Sequence, residues 1–303
     1  MLAVTYNIQS GRGRDDVVDL ARIARTVQAA DIIALQEVER LWSPEAGDQT
    51  AQIAALLPEH HWIFAAAVDL DGSTVTPDGQ VKTCRRQYGN MTLSRWPITS
   101  VRSWSLTKYP VHGRMNDQSV LLEAVVAAPG GDLRVYNTHL NYLAADQRRI
   151  QVEEVLAIMA DAPAQGPVIV GVGMEDRAFE AEGGLMFNRR RPTMPSDAIL
   201  LGDFNMEPNT AEYQRIVGQR DPNYGRLHAA DHLADALTLC GVAEDAGITF
   251  PASVQGPAQR IDHCFVTFDL IPGVTRAWID EAADGSDHQP VWTEIRHDET
   301  RDR

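Results

Sequence analysis

Six polar sites sit at the ends of short apolar runs, and as a set they could hold a hard cation and activate water. Four runs end in a carboxylate, amide or imidazole: Val4-Thr-Tyr-Asn7, Ile33-Ala-Leu-Gln-Glu37, Val135-Tyr-Asn-Thr-His139 and Leu200-Leu-Gly-Asp203-Phe-Asn205. Two more begin a run: Asp262 in Arg-Ile-Asp-His-Cys-Phe-Val, and Asp287-His288 before Gln-Pro-Val-Trp. In a mixed sheet the starts of some strands lie beside the ends of antiparallel neighbours, so all six can converge on one edge. Oxygen donors with open water positions suit Mg²⁺ rather than zinc. A carboxylate–histidine pair beside such an ion suits activation of water for attack on phosphorus. Singly, each residue reads as a turn former or a surface group, and Gly202 before Asp203 could serve only a tight turn. The combination carries the reading.

The elements that must position these residues alternate along the whole chain. Leu2–Tyr6 is a short apolar run. Val17, Leu20, Ile23, Ala24 and Val27 then recur at helix spacing, with Asp15 or Asp16 as N-cap, and 31–36 gives the next strand, completing a βαβ unit. A helix is expected over 49–57 and a strand over 62–67, followed by a polar loop over 69–86. Three β-like runs follow, 90–94, 98–106 and 119–127, then a strand over 133–137 and a long helix over 144–160. Val152, Val155, Leu156 and Met159 form one stripe of that helix. Further strands are expected over 168–172, 198–202, 262–268, 274–279 and 291–295, and a helix over 233–240 that stops at Gly241. Nothing resembling a linker separates the halves. The expectation is one domain over 1–303, a layered α/β sandwich with much antiparallel pairing.

Composition narrows the class. The 303 residues are 44% hydrophobic and 23% charged, ordinary globular usage, which argues against a disordered, collagen-like or coiled-coil chain. Lys+Arg 27 against Asp+Glu 42 leaves a net charge of −15, which disfavours general affinity for nucleic acid or anionic membranes. Cys84, Cys240 and Cys264 are too widely spaced for a disulfide framework and show no zinc pattern. No apolar run approaches the roughly 18 residues of a membrane span, and the opening Met-Leu-Ala-Val-Thr-Tyr-Asn has no charged leader region. A soluble, cytoplasmic protein is expected; its oligomeric state stays open.

Asn7, Leu-Gln-Glu-Val around Glu37, Gly89-Asn-Met-Thr-Leu-Ser-Arg-Trp-Pro-Ile, Asn137-Thr-His-Leu, Gly202-Asp-Phe-Asn, Thr249-Phe-Pro with Arg260-Ile-Asp, and Ser286-Asp-His-Gln-Pro-Val follow one another in order. As an ordered set they resemble the endonuclease/exonuclease/phosphatase superfamily, over almost the whole chain, with the opening closest to bacterial metal-dependent hydrolases of that group. The resemblance implies a DNase I-like four-layer α/β sandwich with two packed mixed, largely antiparallel sheets. It also implies Mg²⁺-dependent phosphoester hydrolysis, with Mn²⁺ as a substitute. Carried over by residue, Glu37 would be the main metal ligand with Asn7 beside it and Asp287 at the metal edge. Asp203 would orient or deprotonate water, Asn205 would hold a phosphate oxygen, His139 would stabilise developing charge, and Asp262 would pair with His288. One departure stands out: residues 173–197, containing Asn188-Arg-Arg-Arg-Pro192, intervene between the long helix and Gly202-Asp-Phe-Asn, so the sheet position of the 168–172 run is open.

Other readings are weaker. Val168–Asp176 looks like Ile199–Glu207, but two buried strands with similar ends account for that. Gly171-Val-Gly173 lacks the third glycine of a dinucleotide loop. His228 and His232 lack the glutamate of a zinc protease. Cys264 and His263, adjacent in a strand, must face opposite ways. The rival class is a catalytically inactive phosphate-binding scaffold, against which every mapped position carries a competent residue. Arg12, Arg14, Arg85, Arg86, Arg114 and Arg189, Arg190 and Arg191 gather near the active edge, which suits capture of one or two phosphates. Arg114 and the 189–191 triplet are the named candidates. The expected substrate is therefore a small or lipid-type phosphoester, with DNA or RNA as the alternative.

Overall fold

The structure, a computed structural model, describes residues 1–42, 46–169, 192–227, 229, 232–252 and 256–297. Residues 170–172 of the expected 168–172 strand and most of the 173–197 insertion, including Arg189, Arg190 and Arg191, lie outside the described residues, as does His228; 168–169 form a bend rather than strand. Two six-stranded sheets form the body. The first orders Val274–Ile279 (β15), Val291–Ile295 (β16), Leu2–Asn7 (β1), Ile32–Arg40 (β2), Arg85–Ser94 (β6) and His61–Asp71 (β3). The second orders Ala234–Asp235 (β13), Asp262–Val266 (β14), Ala198–Asp203 (β10), Gly131–His139 (β9), Val120–Ala128 (β8) and Ile98–Ser105 (β7). Short ribbons pair Thr74–Val75 (β4) with Val81–Lys82 (β5), and Arg220–Asp221 (β11) with Gly225–Arg226 (β12).

Strand alternation builds the layers. Ala3, Ile32 and Ala34 of the first sheet meet Ala124, Val135, Ile199 and Cys264 of the second in a core between the sheets. The opposite faces are apolar too, because helices cover both; near-continuous hydrophobic strands are the result. Leu20–Val27 (α1) and Gln49–Leu56 (α2) bury Ile23, Val27 and Ile53 against Val4, Ile33 and Leu35. Ala145–Gln165 (α3) and Ala211–Val217 (α4) bury Val152, Val155, Met159 and Ile216 against Tyr136, Leu200 and Phe265. This is the four-layer sandwich.

Several boundaries differ from the sequence reading. The N-cap of α1 is Asp19, whose side chain accepts from Arg22 N; Asp15 instead grips the Arg22 guanidinium, and Val17 is 53% exposed ahead of the helix. The polar stretch 69–86 is not a plain loop. Strands β3 and β6 continue through it as a hairpin in register to Asp71↔Arg85, extended by β4 and β5. Within 233–240, Ala234–Asp235 pairs with β14 before a single helical turn, Ala236–Leu239 (α5), capped by Asp235.

Candidate active site

Strand register places three of the polar residues side by side. Strand β10 lies between β9 and β14, and its last residue Asp203 stands opposite His139 on one side and Asp262 on the other. The parallel approach of β9 is close: a Cβ on Gly202 would come to 2.1 Å from Thr138 O, so only glycine lets Asp203 reach this position. Across the interface, β1 and β2 run parallel and their pairing ends with Asn7 opposite Gln36. The pairing of β2 with β6 then breaks in a bulge between Leu35 and Val38. Glu37 sits in this bulge with a left-handed φ of 61°, a strained setting for a side chain, and is turned toward the second sheet.

The two sheets meet at the Asp203 carboxylate. Asn7 Nδ2 donates both to Glu37 Oε1 (3.0 Å) and to Asp203 Oδ2 (3.0 Å). His139 Nε2 lies 3.4 Å and His288 Nε2 3.7 Å from that same Oδ2. Asp203 Oδ1 accepts from the backbone N–H of Asn205 at 2.9 Å. The Asn205 amide donates to Leu140 O, from a residue whose φ of 50° is again left-handed. On the far side His288 Nδ1 lies 2.8 Å from Asp262 Oδ2, and the ring packs against Phe250. The Thr249 hydroxyl accepts from the N–H groups of Ile261 and Asp262.

Burial alone would favour neutral His288, but Asp262, Asp203 and Asp287 outweigh it and push the imidazole up to about 10. Burial pushes the Asp262 carboxyl up as well, reinforced by Asp203 and opposed by His288. We take the pair as carboxylate and imidazolium, because His288 faces three acids at once.

Asp203, Asp262 and His288 offer ligand atoms within 4.8 Å of one another, a spacing a metal could bridge. A protonated, Asp262-bound imidazole has no lone pair to give, so Glu37 with Asn7 beside it is better placed to hold a cation than His288. The Glu37 and Asp203 oxygens converge on the Asn7 amide nitrogen, and among the described residues Asp262 Oδ1 is buried without a hydrogen-bond partner. Hard anionic oxygens and surplus negative charge fit a hard divalent cation.

Asp287 is half-buried and accepts from Ser286 Oγ at 3.3 Å; among the described residues it bonds to none of the others in the site. Arg114 is exposed on the loop before β8 and pairs with no carboxylate among the described residues. That loop is tied to the segment after His139, because Asn141 Nδ2 donates to Asn116 and Tyr142 OH to Met115 O. Sequence reasoning passed over Tyr88, beside Glu37; burial first, then the Glu37 charge, raises its pKa well above the usual phenol range. Its signal was its place immediately before Gly89-Asn90. Also missed was a polar seam under the site: Gln36 Nε2 donates to Asn137 Oδ1 (2.8 Å), and Asn137 Nδ2 to Leu35 O and Met91 O. Asn90 Nδ2 likewise crosses from one sheet to Val120 O of the other. A cavity of about 760 Å³ lies elsewhere, between Pro208 and the 242–246 turn. Its Arg226 and Arg260 are taken by Glu244 and Asp235, so volume is not what marks the chemistry here.

Two mixed sheets between outer helices, with carboxylates and imidazoles crowded at one shared edge, define the DNase I-like class of sandwich. The chain belongs to the Endonuclease/Exonuclease/phosphatase family, whose sequence pattern matches residues 4–288. Solved structures that share its fold include the following three. The endonuclease/exonuclease/phosphatase of Beutenbergia cavernae is 24% identical, over 98% of this chain and 71% of that one, with a TM-score of 0.64. The Bacteroides thetaiotaomicron mannosyl-6-phosphatase is 18% identical over 98% and 99%, at 0.58. The D. rerio TDP2 humanised by 14 mutations is 17% identical over 98% and 98%, at 0.55. No curated protein matches the chain. Among the described residues, no helix is long and apolar enough to cross a membrane.

Proposed function

We propose that the protein is a metal-dependent phosphoester hydrolase that prefers a small or lipid-type phosphoester to duplex DNA. The observation that carries this is the meeting of Asn7, His139 and His288 on one oxygen of Asp203, with Glu37 beside Asn7. Glu37, with Asn7 beside it and Asp287 at the edge, would hold Mg²⁺, for which Mn²⁺ can substitute. When bound, the ion supplies positive charge against the phosphate oxygens and the leaving group. Asp203 orients the attacking water and accepts its proton at Oδ2. His139 donates from Nε2 to a phosphoryl oxygen, and the second N–H of the Asn205 side-chain amide, whose first goes to Leu140 O, holds another. Asp262 keeps His288 protonated, so the imidazolium faces the charge that develops on phosphorus.

Substrate size follows from charge. A protein that grips a polynucleotide backbone neutralises several phosphates, whereas this chain carries −15. Arg12 is paired with Asp16 and Arg85 with Asp69, which leaves few cations for such a track. The relatedness in fold to a mannosyl-6-phosphatase is in keeping with a small ester. The test is a panel of monoesters, diesters, lipid head-group esters and plasmid DNA assayed with Mg²⁺ and with chelator. Hydrolysis of small esters that disappears in Asp203→Asn is the expected result. Efficient plasmid nicking at physiological salt would make nuclease the better description, metal-independent turnover would overturn the metal dependence, and absent turnover would leave the scaffold reading.

A further inference from the structure

The edge that carries Glu37 continues along the β3–β6 hairpin into a second cavity of about 700 Å³, lined by Trp42, Gly72, Thr74, Lys82 and Arg86 among others. Tyr88 links the two places. It lies close enough to Glu37 to feel its charge, and its ring lies 6.1 Å from that of Trp42. Two residues back on the same strand face, the Arg86 guanidinium lies over Trp42 at 5.2 Å.

Arg86 is held in place from three directions. Its Nε donates to Trp42 O at 2.9 Å, the Trp42 ring covers one face, and its stem lies so close to Gly72 that a Cβ there would come to 2.5 Å from Arg86 Cγ. Trp42 is itself presented by Leu41, whose φ of 52° is strained for a bulky residue. The neighbouring Arg85 is spent on Asp69, but among the described residues no carboxylate pairs with Arg86 or Lys82. Asp71 also lines the cavity; its carboxylate accepts from the Ser73 hydroxyl and N–H, which leaves an excess of one positive charge. A stacked guanidinium with its outer N–H groups free is a preorganised fork for an oxyanion, and an ammonium beside it suits a dianion.

We infer that this cavity binds a second phosphate of the substrate, on the order of 10 Å along the strand from the scissile one. Resting on the hydrolase reading, the inference narrows the substrate to a small doubly phosphorylated ester, and makes Arg86 a specificity residue rather than a catalytic one.

Alkanediol bisphosphates of increasing chain length serve as rulers, each compared with its matching hydroxyalkyl monophosphate. For wild-type protein with Mg²⁺, the octanediol compound is expected to show a KM about tenfold below that of its monophosphate at similar kcat. Arg86→Ala should abolish the difference while leaving monophosphate turnover unchanged; Lys82→Ala should shrink it. In parallel, octane bisphosphonate, which cannot be hydrolysed, is titrated calorimetrically against octylphosphonate. The bisphosphonate is expected to bind wild type about tenfold more tightly, and Arg86→Ala should lose that advantage. Equal binding of the bisphosphonate by wild type and Arg86→Ala, both folded by circular dichroism, overturns the assignment. Arg86-dependent binding without turnover of any phosphoester supports the pocket and brings down the hydrolase reading instead.

Discussion

His288 Nδ1 lies 2.8 Å from Asp262 Oδ2, both groups almost fully buried, and this contact sets the charge that the other ring nitrogen presents to Asp203. Without a carboxylate behind it, an imidazole in so dry a setting would shed its proton. Asp262→Asn should therefore lower kcat by about 10²–10³ with little change in KM. The His288 ring resonances should then titrate well below those of wild type, where the facing carboxylates hold the imidazole's pKa up. His288→Ala combined with Asp203→Asn should be scarcely worse than the worse single variant, because both act on one step. Full activity of Asp262→Asn would sink the idea.

Glu37→Gln keeps the shape of the bulge and the bond to Asn7 but removes charge from the proposed cation site. Activity should fall by orders of magnitude with an unchanged melting curve, and chelator should inactivate wild type reversibly. Calorimetric titration of Mg²⁺ gives an independent reading, since the variant should bind it far more weakly. Undiminished turnover in EDTA is the contrary result.

The seam between the sheets predicts a stability effect separable from chemistry. Asn137→Ala takes the shortest of three acceptors from the Gln36 amide and a side-chain donor from each of two buried backbone carbonyls, a loss of about 1–3 kcal/mol in all. Urea unfolding should show a lower midpoint, whereas Gln28→Ala, at a surface residue, should barely move it.

A second buried network answers to pH. Asp235 accepts from Tyr213 OH (2.8 Å) and Arg260 (2.5 Å), with His263 Nδ1 at 3.5 Å. Burial alone would raise its pKa, but His263, Arg260 and Tyr213 outweigh this and hold it at about 2, below the ordinary 3.8. A carboxyl depressed on folding stabilises above its unfolded value, and that share, about 2 kcal/mol, is lost as pH falls from roughly 4 towards 2. Denaturant midpoints measured across that window should show the decline in wild type. Asp235→Asn should be less stable by about 3–5 kcal/mol at neutral pH, because Arg260 is left buried and unpaired. An acid-insensitive wild type in that range contradicts the account.

The site was legible because each polar residue ends or begins a run that burial keeps apolar, so Asn7, Glu37, His139, Asp203 and Asp262 stand out against their own strands. The register that brings His139, Asp203 and Asp262 abreast was not, since pairing partners leave no mark in a single strand. The stripe of Val152, Val155, Leu156 and Met159 on α3 was clear, because one face meets a sheet and the other meets water. The hairpin through 69–86 was hidden for the opposite reason. Both its faces are largely exposed, so backbone pairing holds it and no alternation appears. Arginines near the edge were visible as a group, but only the structure separates Arg85, bound to Asp69, from Arg86, which is not.

His288 arrives on the segment just before β16, and β16 completes its sheet by pairing with β1 at the other end of the described chain. A ribosome making this protein would hold Asn7, Glu37 and His139 long before the groups that work with them exist. The emerging chain stays chemically silent until its last strands are free to close, and closure over such sequence distances is slow. Competence thus arrives late and all at once, and a chain truncated before β14 should carry every early residue of the site and none of its chemistry.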